Sequence, residues 1–186
     1  VRAWSDPLRW LVLPWTLLVT YPMILVSTTL FGTLAVTLSL ISKHLGFHAG
    51  VYWAQSLTWA SWVRVRVEGR EHLRPGQSYV ILSNHQGAFD ILALYGFLGR
   101  QFRWVMKQEL RKVPFLGWGC AAIGHIFVDR GNSSRAIASL EAAKSQLAGG
   151  VSVLFFPEGT RSDDGRLLPL NKGGFTMARQ LNLPIL

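Results

Sequence analysis

The 186-residue chain is 49% hydrophobic and only 16% charged, with a formal net charge of +9. That balance is apolar for a soluble protein of this size and means that something besides a core absorbs apolar surface. The single cysteine excludes a disulfide scaffold and fits a reducing compartment; the scattered basic residues, with no nucleic-acid motif beside them, exclude nucleic acid and favour an anionic membrane surface as partner.

From Trp10 through Ser42 no residue is charged. As one helix this stretch would measure about 50 Å, against a hydrocarbon core of about 30 Å. Pro14 and Pro22 lie inside it, and Ser27-Thr28-Thr29 with Gly32 offers a place to bend. Two forms follow: one tilted, kinked span, or two helices of about 15 residues, each about 22 Å long and too short to cross. No signal peptide is expected, given the length of the run and the lack of a convincing small-residue cleavage site. Phe47 to Trp62 carries Tyr52, Trp53, Trp59 and Trp62 with no acidic or basic side chain other than His48, which predicts a helix at headgroup level. Val63-Arg64-Val65-Arg66-Val67 alternates strictly and predicts an edge strand.

A strand at Ser78–Leu82 then feeds Asn84-His85-Gln86-Gly87-Ala88-Phe89-Asp90 and a helix over Ile91–Leu98. His85 and Asp90 would lie about 140° apart on a uniform helix and on opposite faces of a strand, so they meet only across a turn, for which Gly87 supplies the freedom. A histidine held by a carboxylate is a general-base arrangement: the carboxylate sets the tautomer and stabilises the imidazolium. The only cysteine, Cys120, sits in the apolar segment Gly117–Ile123 and is predicted as a packed thiol. Without a protein nucleophile, the hydroxyl to be activated belongs to a substrate.

Further strands are predicted at Phe102–Met106 and Ile126–Val128, with a short helix between them around Gly117–Ile123; Lys107 and Arg130, close after those strands, are cationic site candidates. His125 reads as a structural hydrogen-bonder. A helix capped by Asn132 or Ser133 carries Ile137, Leu140, Ala143 and Leu147 along one face and ends at Gly149-Gly150. Val151–Phe156 is a strand running directly into Phe156-Pro157-Glu158-Gly159-Thr160-Arg161-Ser162. There Gly159 permits close backbone approach, Arg161 offers a planar fork of donors for phosphate oxygens, and Glu158 orients that arginine or a substrate hydroxyl. Alternating strands and helices predict an α/β fold with a mainly parallel central sheet flanked by helices. Both motifs follow strands, so both fall on the carboxyl edge where such sheets bind ligands. No Cys/His or carboxylate cluster has metal-site spacing, so no metal is expected.

The two strings together resemble the signature of the glycerolipid acyltransferases, an N-H-x4-D block followed by F-P-E-G-T-R-S. Lys107, Glu109, Leu110, Pro114, Gly117 and Ile126-Phe127-Val128-Asp129-Arg130 resemble the block between them. Within that family the chain is similar to the 1-acyl-sn-glycerol-3-phosphate acyltransferases of bacterial type, over roughly residues 63–186. Gly87 stands where many members carry Ser, and Leu183-Pro184-Ile185-Leu186 looks like the start of a fourth block cut off by the chain end.

The resemblance implies acyl transfer from an acyl thioester to the free hydroxyl of lysophosphatidic acid, giving phosphatidic acid. His85 and Asp90 would be catalytic, and Asn84, Lys107, Arg130, Glu158, Gly159, Thr160 and Arg161 would bind substrate. No cofactor is expected beyond the co-substrate, acyl-CoA or acyl carrier protein. The alternatives are glycerol 3-phosphate or another lyso-lipid as acceptor, or a catalytically silent lipid-binding membrane protein. A cytosolic thioester places the catalytic part on the cytoplasmic side of the inner membrane. A single span would then export Arg2 and Arg9, opposed only by Asp6, against the positive-inside tendency. The expectation is therefore a membrane-embedded helical hairpin within residues 10–42, an anchor over residues 1–62, and an acyltransferase domain over 63–186 that lacks a C-terminal piece.

Overall fold

In the computed structural model, which describes residues 8–129, 131–147, 149–162 and 166–186, the uncharged stretch folds as one helical rod. It runs through α1 (Leu8–Trp15), a π turn (Thr16–Thr20) and α2 (Tyr21–Ile41). The expected bend near residues 27–32 is absent. Pro22 falls in the first turn of α2, where its missing N–H and preset φ are tolerated. The widened turn before it, closed by Tyr21 N–H donating to Thr16 O, gives the pyrrolidine ring room. Ser27 and Thr33 fold their hydroxyls back onto the carbonyls of Ile24 and Thr29, so neither breaks the ladder.

The hairpin therefore has different arms from those expected. Its turn is Ser42, extended at φ −159° and capping α3 (Lys43–Ala60) by accepting the His44 N–H at 3.1 Å. Trp53 Nε1–H on α3 donates to Thr28 Oγ1 on α2 at 3.0 Å, joining the arms. Residues 12–41 are long and apolar enough to cross a membrane, and only 11% of their apolar window is buried; Leu25 is 70% exposed and Leu40 84%. One side of the segment expected at headgroup level packs into the core, with Phe47, Ala49, Ala54 and Leu57 of α3 buried, while the rings of Tyr52, Trp59 and Trp62 that carried the expectation stay exposed.

Four parallel strands, β1 (Val80–Leu82), β2 (Phe102–Lys107), β3 (Ile126–Val128) and β4 (Ser152–Phe155), form a sheet in the order β1-β4-β2-β3. Parallel neighbours need crossovers. These run through α4 (Phe89–Phe97), α5 (Leu116–Ile123) and α6 (Ser133–Ala143), the last capped by Asn132, whose side chain accepts the Arg135 N–H. One face of the sheet packs Tyr79, Ile81, Phe102, Trp104 and Leu154 with residues of α2 to α5. The opposite face packs Val80, Val153 and Phe155 with Ala143, Leu147 and the residues of α7 (Gly173–Leu181), Met177 and Ala178.

Residues 63–67 do not form the expected edge strand. The outer edge of β1 is already taken by the chain end: Val80 N–H donates to Pro184 O, Leu186 N–H to Val80 O, and Leu82 N–H to Leu186 O. The alternating arginines stay in solvent, with Arg66 paired to Glu68 at 2.8 Å. Gly32 on α2 explains how α5 reaches the hairpin: a Cβ there would stand 2.7 Å from Phe115 O.

Candidate active site

The register of β1 and β4, with Leu82 opposite Phe155, brings the two motif loops out of the sheet side by side. They are then fastened to each other. Ser83 N–H donates to Phe155 O at 3.1 Å and Ser162 N–H to His85 O at 3.3 Å. Buried Glu158 accepts the His85 N–H on Oε1 at 2.8 Å and the Leu168 N–H on Oε2 at 3.0 Å. Each of its oxygens is thus held by a backbone group, so Glu158 fastens the two loops together, a role the sequence did not suggest. Gly159 has φ +74°, a left-handed conformation that favours glycine.

Asp90 lies in the first turn of α4, where a negative charge complements the helix dipole. Its Oδ2 accepts from His85 Nδ1 at 2.9 Å, Gln86 N–H at 2.6 Å and Gly87 N–H at 2.9 Å. Burial acts to raise the carboxyl, but the Gly87, His85 and Gln86 donors outweigh it and hold the group below its ordinary value. An ionised Asp90 at Nδ1 favours the neutral-ring tautomer that carries its proton there and leaves Nε2 as the acceptor nitrogen. Gly87 contributes its N–H and not an unusual backbone angle: its φ is not positive, and a Cβ there would meet nothing within 4 Å.

His85 stands on the wall of a cavity of about 890 Å³. Lys107, Gly159, Thr160 and Arg161 line it too, and it continues between α2, α3 and α5 past Phe31, Trp53, Tyr95 and Ile123. Among the described residues neither Lys107 nor Arg161 has a carboxylate partner, and both are exposed. The site therefore brings together the His85–Asp90 pair, two cationic side chains with no carboxylate partner among the described residues, and an apolar chamber. Asn84 is exposed and absent from the wall; Arg130 lies outside the described residues.

Sequence reasoning missed the chamber, because its wall is assembled from α2, α3, α4 and α5, which are distant along the chain. It also passed over the ring of Phe156, which stacks on His85 with centroids 3.9 Å apart and planes at 9°. The only signal for it was its place at the head of the second motif. Cys120 also lines the chamber, and burial pushes its thiol up to about 12, so it is no nucleophile at neutral pH. His125 is buried: its Nδ1 accepts the Trp104 N–H at 3.2 Å and its other ring nitrogen meets Tyr95 Oη at 3.0 Å. Burial, reinforced by Arg103, lowers it to about 3 and keeps it neutral.

The family model described as Acyltransferase matches residues 64–186. The human protein named 1-acyl-sn-glycerol-3-phosphate acyltransferase alpha is 39% identical over 124 residues, which is 66% of this chain and 44% of that protein. A chloroplastic 1-acyl-sn-glycerol-3-phosphate acyltransferase, LPAT1 of Arabidopsis thaliana, is 35% identical over 133 residues, covering 68% of this chain and 37% of its own length. The chain thus spans less than half the length of these curated relatives. The crystal structure of the 1-acyl-sn-glycerophosphate acyltransferase PlsC from Thermotoga maritima superposes with a TM-score of 0.77 at 26% identity, covering 93% of this chain and 71% of that one.

Proposed function

Because the chain belongs to the acyltransferase family, we propose that it moves an acyl group from a thioester, of coenzyme A or of acyl carrier protein, to the free hydroxyl of lysophosphatidic acid, giving phosphatidic acid. The observation that carries this reading is the pairing of His85 Nδ1 with Asp90, set on the wall of an apolar cavity that also holds Lys107 and Arg161, neither of which has a carboxylate partner among the described residues. The names of the human and Arabidopsis relatives support the same acceptor.

In this mechanism Lys107 and Arg161 grip the phosphate monoester, and the acceptor hydroxyl gives its proton to His85 Nε2 as its oxygen bonds to the thioester carbonyl carbon. Asp90 stabilises the imidazolium that forms. The carbonyl oxygen takes the negative charge and is met by the Thr160 and Arg161 amides; the Gly159 amide is already spent on Phe156 O at 3.0 Å. Collapse of the tetrahedral intermediate re-forms the carbonyl and breaks the C–S bond. The thiolate leaves with the proton returned from Nε2, so the products are the diacyl phosphate and a free thiol. The hairpin of α2 and α3 would be embedded in the inner membrane, with the site at the lipid surface on the cytoplasmic side, where a lyso-lipid acceptor arrives from the bilayer.

The test is product analysis by mass spectrometry, offering both thioester types with lysophosphatidic acid, glycerol 3-phosphate and a lyso-lipid that lacks a phosphate monoester. Lysophosphatidic acid is the expected acceptor. Lys107→Ala should lower its kcat/KM by about 10- to 150-fold, the worth of a charge-assisted contact, and hardly alter the donor KM. Arg161→Lys should not restore full activity, because an ammonium lacks the bidentate fork. Preference for the acceptor without a phosphate monoester, or equal losses on both, would refute the phosphate grip. No transfer at all would leave a silent lipid binder.

A further inference from the structure

His85 is held in its own plane by one hydrogen bond, from Nδ1 to Asp90 Oδ2 at 2.9 Å. A bond of that kind leaves the ring free to tip about the Nδ1···Oδ2 line, and tipping would swing Nε2 away from any hydroxyl presented to it. What blocks that motion is a second ring. The β1–β4 register that joins the two motif loops lays Phe156 face to face on the imidazole, 3.9 Å between centroids and 9° between planes. Phe156 is itself anchored in the core. Its ring packs on Trp104 at 5.2 Å, and Trp104 lies parallel to buried Tyr95 at 6.4 Å and 4°.

We propose that Phe156 is a positioning residue for His85: its ring fixes the plane of the imidazole so that Nε2 faces the cavity, and its π face stabilises the imidazolium formed when the acceptor hydroxyl gives up its proton. This rests on the acyl-transfer reading of His85. The electrostatics are specific. A neutral imidazole gains only dispersion from the stack, whereas a protonated one also meets the negative face of the ring, so the contact strengthens as the transition state is approached. Among the described residues, the charged groups near His85, Asp90 of α4, Glu158 and Arg161 of the loop after β4 and Lys107 of β2, are untouched by a change at Phe156, so an altered titration is assignable to the ring.

The experiment compares Phe156→Leu, which keeps an apolar side chain but removes the ring, with Phe156→Tyr and Phe156→Trp, in full-length protein in detergent. Phe156→Leu should lower kcat by about 3- to 30-fold, the range of a cation–π contact, with both KM values within about twofold. Tyr and Trp should restore kcat. The acidic limb of the pH–rate profile should move to lower pH in the Leu variant only, by about half a unit to one unit. A second readout needs no acceptor. Carbethoxylation of His85 by diethylpyrocarbonate, followed against pH by peptide mass mapping, should show the same shift, and a Phe156→Met variant repeats it should Leu fail to fold. Wild-type kcat, pH profile and carbethoxylation in Phe156→Leu would overturn the proposal, as would equal losses in Leu, Tyr and Trp. Should the wild type transfer no acyl group while Phe156→Leu still shifts the His85 titration, the stacking role stands and the acyl-transfer reading falls.

Discussion

Asp90→Asn isolates the electrostatic half of the His85–Asp90 pair while nearly preserving shape. In the native site one oxygen, Oδ2, takes three donors, from His85 Nδ1, Gln86 N–H and Gly87 N–H. An amide oxygen in that place still accepts from the two backbone groups, so the turn persists, but the charge facing the imidazole is gone. At a separation near 3 to 4 Å and an effective dielectric constant of about 20, an imidazolium–carboxylate pair is worth about 4 kcal/mol. A charge-assisted hydrogen bond measured by substitution gives about 1.5–3 kcal/mol. The two figures bracket a loss of about 2–4 kcal/mol in the transition state, hence about 30- to 1,000-fold in kcat. Asp90 is not on the cavity wall, so the acceptor and donor KM values should move less than about twofold. The assay is initial-rate transfer from a labelled acyl thioester to lysophosphatidic acid at saturating concentrations of both, with circular dichroism confirming the fold. A folded Asp90→Asn enzyme with kcat within threefold of wild type, or one whose loss lies wholly in the acceptor KM, would refute the reasoning.

Three further outcomes follow from the same contacts. Glu158→Gln places an NH₂ against one of the two backbone donors that the carboxylate serves, His85 N–H and Leu168 N–H; leaving a buried donor unpaired costs about 1–3 kcal/mol, so thermal melting in detergent should fall by about 2–12 °C, and an unchanged Tm would contradict the clamp. Gly87→Ser should leave Tm within about 2 °C, since a Cβ there meets nothing within 4 Å and φ is not positive, whereas Gly159→Ala, at φ +74° and 3.1 Å from Asn171 Nδ2, should be clearly destabilised. His125 is lowered to about 3 in the folded chain, against about 6.5 when unfolded. The unfolded state then binds the extra proton between those values, so stability falls as pH drops below about 6.5, by about 1.4 kcal/mol per unit from this group; urea midpoints from pH 7 to 5 should show that slope, and His125→Asn should lessen it.

The order and type of most elements and the pairing of His85 with Asp90 were determined by local pattern. Each depends on residues close together in the chain: an apolar run, a turn, a cap such as Asn132. The parallel topology followed because strand–helix alternation leaves the chain few other routes. Tertiary structure decided what depends on distant partners. Residues 63–67 alternate as a strand should, yet the chain end holds the β1 edge, and a strand exists only where an edge is open to it. The proline-bearing rod stayed unbroken because a π turn absorbed Pro22, and one side of α3 became core because Phe47 found Tyr95 and Phe102 to pack on. Glu158 became a clamp and Phe156 a stacking partner once the β1–β4 register set them against His85. A sequence displays which chemical groups are available; the register of two strands, with about 70 residues of chain between them, settles which groups touch.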